Sequence, residues 1–207
     1  EYGVSVGANL VKYYGNDVQV RARAMAAAGS DARMSGCLYP VVINSGSGNQ
    51  GITVSVPVIE YAKEMGVSHE KLVRALVFSN LIAIHQKTGI GRLSAYCGAV
   101  SAACGAGAGI TYLSGGSYEQ ICATITNTLA NVSGMICDGA KPSCAAKIAT
   151  AVDAAIMAHC LSMEAEEFQP GDGIVKDTVE NTIESVCEIA SQGMNVTDAK
   201  ILEIMVR

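Results

Sequence analysis

Ser94-Ala95-Tyr96-Cys97-Gly98-Ala99-Val100-Ser101-Ala102-Ala103-Cys104-Gly105-Ala106-Gly107-Ala108-Gly109-Ile110-Thr111-Tyr112-Leu113 carries no charge and few large side chains. The gap extends further: from Arg92 to Lys141 the only charged residues are Glu119 and Asp138. Such a stretch is long enough to span a bilayer. Its Gly, Ser, Thr and Asn content, in place of Leu, Ile and Phe, predicts instead a pair of helices buried in the middle of a soluble bundle.

The rest of the chain supports a helical reading. Of 207 residues half are hydrophobic and 16% are charged, which permits a sizeable core. There is no Trp and there are two Phe, so close packing through Ala and Gly replaces aromatic filling. The pattern predicts helices over Val4–Ala28 (with a break at Gly15-Asn16-Asp17 and an end at Gly29-Ser30-Asp31), from Ser68 to about Lys87, and over Ser94–Leu113 and Tyr118–Ser133. Further helices are predicted over Ala145–Ser162, Ile174–Gln192 and, capped by Thr197, Asp198–Val206, with Glu164–Gly173 as a polar linker. Leu38–Ile43 and Ile52–Ile59 are β-branched enough for short strands and equally suit buried helical turns, which periodicity does not separate. The expected architecture is a mainly α bundle with buried Ala/Gly-rich central helices and long functional loops, in one domain over residues 1–207. A first residue Glu1 suggests the C-terminal part of a longer protein.

The net charge of −5 and the lack of a basic block argue against nucleic acid as a partner. Eight cysteines in a long chain without a secretory signal, several on apolar helical stretches, point to free or metal-bound thiols in a reducing cytoplasm. Cys122, Cys160 and Cys187 sit inside helical patterns and read as small buried hydrophobes; Cys37 lies beside a loop. Cys137 and Cys144 differ. Gly139 and Pro142 lie between them, so the segment is a turn that can fold around a metal or cluster. Lys141, between the two, can balance thiolate charge. The spacing is neither the dense ferredoxin run nor a zinc-finger pattern. Cys97 and Cys104 are seven apart in a helical stretch, so at most one of them serves such a site.

A second constellation is Asn44-Ser45-Gly46-Ser47-Gly48-Asn49-Gln50-Gly51, a polar interruption between apolar runs. Its glycines let backbone approach a ligand, and Ser45, Ser47, Asn49 and Gln50 offer donors and acceptors suited to a carboxylate. The plainer reading is a polar connection. Arg33 either clamps a substrate carboxylate or pairs with Asp31 or solvent. His69, His85 and His159 read as surface or core-edge residues rather than bases.

These motifs, with Ser30-Asp31-Ala32-Arg33-Met34, Ala95-Tyr96-Cys97-Gly98-Ala99 and Gly134-Met135-Ile136-Cys137-Asp138-Gly139-Ala140-Lys141, resemble the C-terminal helical part of the iron–sulfur L-serine dehydratase α-chain family. The resemblance is closest to its branch of L-cysteine desulfidase and related uncharacterised bacterial proteins, and covers nearly the whole chain. It implies a [4Fe-4S] cluster held by Cys97, Cys137 and Cys144, with Cys104 outside the set and one iron open to substrate. It implies β-elimination on a small L-amino acid, L-cysteine ahead of L-serine, to pyruvate and ammonia, with sulfide from cysteine. Ser45, Gly46, Ser47, Gly48, Asn49, Gln50, Arg33 and Lys141 would hold the substrate. The branch also has an N-terminal Gly-Cys-Thr-Glu-Pro motif absent from residues 1–207. Expected partners are the amino acid, an N-terminal segment of the same protein and further copies of the chain; neither nucleic acid nor membrane is expected. A non-catalytic module with structural or metal-binding thiols is the alternative.

Overall fold

A computed structural model describes residues 2–207. Nine α-helices form among them, and no strand. They are α1 (Val6–Tyr14), α2 (Val18–Met34), α3 (Gly48–Met65), α4 (His69–Ile90), α5 (Gly98–Leu113), α6 (Tyr118–Val132), α7 (Cys144–Met163), α8 (Val179–Glu188) and α9 (Asn195–Met205), with a π-helical turn at Ile189–Gly193. The mainly α expectation holds.

The charge-free run forms the centre. In α5 every residue except Gly98 and Tyr112 is buried. Helices α3, α4, α6 and α7 pack around it. Small residues make this possible: Gly105 lies against the backbone of Ser79 and Ala83 on α4, where a Cβ has no room. Helix α7 is long and apolar enough to cross a membrane, yet over half of its most apolar window is buried inside the protein. It packs on α2, α5 and α6.

Local signals set most boundaries. The Asp17 carboxylate accepts from the Val20 N–H (2.8 Å) and separates α1 from α2. Ser68 caps α4 and Ser117 begins α6 with a capping box completed by Gln120. Other boundaries move. Helix α2 runs through Gly29-Ser30-Asp31 to Met34, because Ser30 and Asp31 are buried and the Asp31 carboxylate accepts the Val6 N–H (2.8 Å) at the start of α1. Ile52–Ile59 is helical, within α3, with Pro57 removing one ladder donor. Leu38–Ile43 is irregular and largely exposed, without a ladder partner. The expected Ile174–Gln192 helix begins only at Val179, where Thr178 caps it, and ends in the π turn. Met194, not Thr197, stands at the cap position of α9.

One polar network crosses the core. Thr111 Oγ1 meets His159 Nδ1 (2.9 Å) and Thr124 Oγ1 (2.8 Å), and Thr124 meets Ser162 Oγ (2.7 Å). Burial holds the His159 imidazole below its ordinary value. The folded state therefore binds its proton less readily than the unfolded chain. The stabilisation is complete above the unfolded value of about 6.5 and is lost as pH falls below it. The urea midpoint is expected to drop between pH 7 and pH 5, with a smaller drop in His159→Gln; equal drops would refute the assignment.

Candidate functional site

Helix α5 starts later than its composition suggests, and the reason is tertiary. Ala95–Cys97 is held extended against Met135–Cys137 by an isolated antiparallel bridge at Tyr96 and Ile136. The Cys97 N–H donates to the Met135 carbonyl (3.0 Å), and the Cys137 N–H to the Ala95 carbonyl (2.6 Å). Behind them the Ser94 hydroxyl accepts the Tyr96 N–H (3.0 Å) and donates to the Ala190 carbonyl in the π turn (2.7 Å). Cys97 is consequently the N-cap residue of α5. It does not share a helical face with Cys104, which is fully buried beside the Ile125 carbonyl.

Three helix N-termini then meet at one cavity of about 90 Å³. Helix α3 contributes Ser47, Asn49 and Gln50; α5 contributes Cys97 and Gly98; α7 contributes Cys144 and Lys147; the turn before α7 adds Cys137. A helix N-terminus carries partial positive charge and uncommitted N–H groups, so the arrangement favours anionic sulfur. The Ser47 hydroxyl accepts the Gln50 N–H (3.4 Å) and closes the start of α3. Asn49 Nδ2 and Gln50 Oε1 are buried without a hydrogen-bond partner among the described residues. Unpaired buried polar atoms are costly and point to a ligand that would satisfy them.

The thiols are electrostatically unequal. The Cys97 thiol beside it, acting as donor, brings Cys137 down to about 6; burial opposes this, and the Gly139 N–H and the Lys147 ammonium add to it. The same pairing, reinforced by burial, pushes Cys97 up. Cys144 accepts the Lys141 N–H (3.4 Å) and approaches the Gly139 carbonyl (3.6 Å). Lys147 pairs with Asp138 and reaches the Ile136 carbonyl (3.1 Å).

Of the residues expected at the site, Cys97, Cys137, Cys144, Ser47, Asn49 and Gln50 line this cavity. Gly48 is buried against the Arg33 side chain. Arg33 reaches the site only through Asn49 Oδ1 (3.2 Å) and makes no ion pair with Asp31. Ser45 and Gly46 face an adjoining, more open groove. Lys141 is exposed and does not line the cavity, and its backbone N–H donates to Cys144 Sγ (3.4 Å). The cation in the cavity is Lys147, missed in the sequence. Once α7 starts at Cys144, a residue three further on shares its face.

The donor set suits a cluster better than a lone ion. Among the described residues no group of three Cys, His, Asp or Glu side chains converges on a point where a single ion could sit. Each thiolate of a four-iron cluster holds a different iron, so such ligands stand further apart. The three thiols, the electropositive lining and the unpaired amide groups are the donor set such a cluster takes, and Cys97 and Cys137, in hydrogen-bond contact here, would separate to hold different irons.

The molecule is thus an all-helical protein whose thiol-bearing helix N-termini and polar turn serve one cavity. The serine dehydratase alpha chain family matches residues 2–203, and the chain belongs to that family. It is similar to the UPF0597 protein of Lachnoclostridium phytofermentans, 66% identical over 99% of this chain and 49% of that protein. It is also similar to the UPF0597 proteins of Treponema denticola, 58% identical over 100% of this chain and 49% of that protein, and of Bacteroides fragilis, 46% identical over 99% and 49%. The chain spans about half the length of the curated relatives it matches.

Proposed function

We propose that the chain is the cluster-bearing part of a [4Fe-4S]-dependent lyase that performs β-elimination on a small L-amino acid, L-cysteine in preference to L-serine. The observation that carries the reading is the convergence of Cys97, Cys137 and Cys144 on one cavity at helix N-termini. These three thiolates would hold the cluster, and its open iron supplies Lewis-acid polarisation of the bond to the leaving group. The remaining work falls to the chain itself. Asn49 and Gln50 offer unpaired amide atoms to the polar ends of the substrate. Lys147 and the N–H groups of Ala99 and Gly139 offset thiolate charge. Arg33, through Asn49, holds that amide in position. The preference for L-cysteine follows from the resemblance of the motifs. In this reading the remaining length of the relatives corresponds to an N-terminal segment that completes the enzyme, which works in the cytoplasm as a homo-oligomer.

Anaerobic purification tests the cluster: a brown protein with about four irons per chain is expected. The whole protein should release sulfide and pyruvate from L-cysteine faster than pyruvate from L-serine. A chain that stays colourless after reconstitution, with its thiols intact, would sink the proposal.

A further inference from the structure

A second concavity adjoins the cysteine cavity, and the turn Asn44–Ser47 is the wall between them. Ser47 faces the thiols, while Ser45 and Gly46 face a groove of about 740 Å³ shared with Ile84, Lys87, Thr88 and Arg92. The turn is tight: Asn44 and Ser47 exchange both backbone hydrogen bonds (3.2 and 3.0 Å), and the Asn44 amide ties it to Asn80 Oδ1 (2.8 Å). Ser45 and Gly46 at its tip both have positive φ (49° and 83°). Their N–H groups take no part in the backbone pairing of the turn, which is formed by Asn44 and Ser47. Two successive free N–H groups at a turn are a frequent anion contact.

The side chains opposite them agree. Lys87 is half-buried, and neither Lys87 nor Arg92 forms an ion pair with a described carboxylate. Burial lowers the Lys87 ammonium from its ordinary value, the thiols of Cys137 and Cys97 act in the opposite sense, and no described carboxylate acts on it. The Lys87 ammonium is half-buried with no described carboxylate beside it and only the thiols acting on it, so an anion in the groove would stabilise it further. No acid among the described residues lines the groove, so the ammonium of an amino acid would find no partner there.

We infer that Ser45, Gly46, Lys87 and Arg92 form a binding site for a small carboxylate without an ammonium group, the 2-oxo acid class. The ligand class rests on the elimination reading, because such a reaction releases a 2-oxo acid beside this wall. The anion site itself rests on the groove alone.

Calorimetric titration of pyruvate into the purified protein, Lys87→Met and Lys176→Met, an exposed lysine outside the groove, tests it. Wild type and Lys176→Met should bind pyruvate alike, and Lys87→Met about tenfold more weakly, the loss of one charge-assisted contact. L-Serine should not compete. Lys87→Met should fold at least as stably as wild type, since it removes a half-buried charge that has no described carboxylate partner. Pyruvate binding that is indifferent to Lys87 would overturn the site. Inorganic phosphate binding as tightly as pyruvate would overturn the ligand class. If pyruvate binding depends on Lys87 in a protein that takes up no iron and eliminates nothing, the site stands and the lyase reading falls. If pyruvate binding ignores Lys87 in an active iron enzyme, the lyase reading stands and the site falls.

Discussion

Cys137→Ser is expected to abolish iron uptake and elimination activity together, while Cys104→Ser retains both. The two thiols belong to the same protein and differ in environment. Cys137 opens onto the cavity, next to Cys97, with the Gly139 N–H and Lys147 favouring its thiolate. A hydroxyl at this position is a far poorer ligand for iron, and its neutral form would leave the surrounding positive ends without their anion. Cys104 lies completely buried in α5, and burial pushes its thiol up to about 12, so it stays protonated and packs as a small hydrophobe. Replacing it brings a hydroxyl into the core at a cost of about 1–3 kcal/mol if the group finds no partner, without changing the cavity lining. Iron content and the absorbance of the reconstituted variants, read beside their urea midpoints, separate the two outcomes. Cys137→Ser should keep the fold and lose the iron. Equal loss of iron from both variants would contradict the ligand assignment.

Lys147 adds a finer distinction within that experiment. Lys141, exposed on the turn, and Lys147, on the cavity wall, are both cations close to Cys144 in sequence. Lys147→Met is expected to slow cluster assembly or lower iron occupancy by about 10-fold or more, as loss of a neighbour of the ligands does, with little effect from Lys141→Met. The reverse ranking would restore the assignment that the sequence alone favoured.

That difference between the lysines illustrates what was legible in the chain. Breaks enforced by local chemistry could be read directly: the interruption at Gly15-Asn16-Asp17, the start of α4 at Ser68, the Gly139–Pro142 turn that sets Cys137 and Cys144 apart from the helical thiols. Burial of α5 followed from its lack of charge. Features set by tertiary contact could not be read. The start of α5 depends on a bridge to Ile136, far away in sequence, so Cys97 looked helical until that partner was placed. Ile52–Ile59 has strand-like composition, yet Ser47 caps a helix over it and burial on α5 decides the matter. Leu38–Ile43 is no less β-branched in part, but finds no partner and stays irregular. The meeting of three helix N-termini is likewise a property of the packed bundle, invisible to any single motif.

The glycine-rich turn is positioned by a contact that a single methyl group would break. Gly51→Ala is expected to destabilise the protein by roughly 2 kcal/mol or more, the balance of two opposed effects. Alanine is the better helix former, and inside α3 it would contribute about 1 kcal/mol. Its Cβ, however, would run into the carbonyl of Val42, with the Asn44 backbone N 3.3 Å away. Both are backbone rather than the end of a flexible side chain, so the irregular segment 42–44 would have to lift off α3. Overpacking of this sort costs about 1–3 kcal/mol where side chains can yield, and more where they cannot. For a chain of 207 residues the net loss lowers Tm by roughly 4–8 °C. Gly134→Ala provides the contrast, since nothing lies within 4 Å of its Cβ direction and its φ is ordinary; a change within about 0.5 kcal/mol is expected there. The functional consequence separates the two halves of the site. Displacing residues 42–44 pulls on the Asn44–Ser47 turn and hence on Ser47, Asn49 and Gln50, whereas Cys97 and Cys137 are held by their own bridge to each other. Under the lyase reading KM for the amino acid should rise in Gly51→Ala while iron content is maintained. A variant as stable as wild type would mean that segment 42–44 does not lie against α3, and loss of iron in parallel with KM would mean that turn and thiols are one mechanical unit.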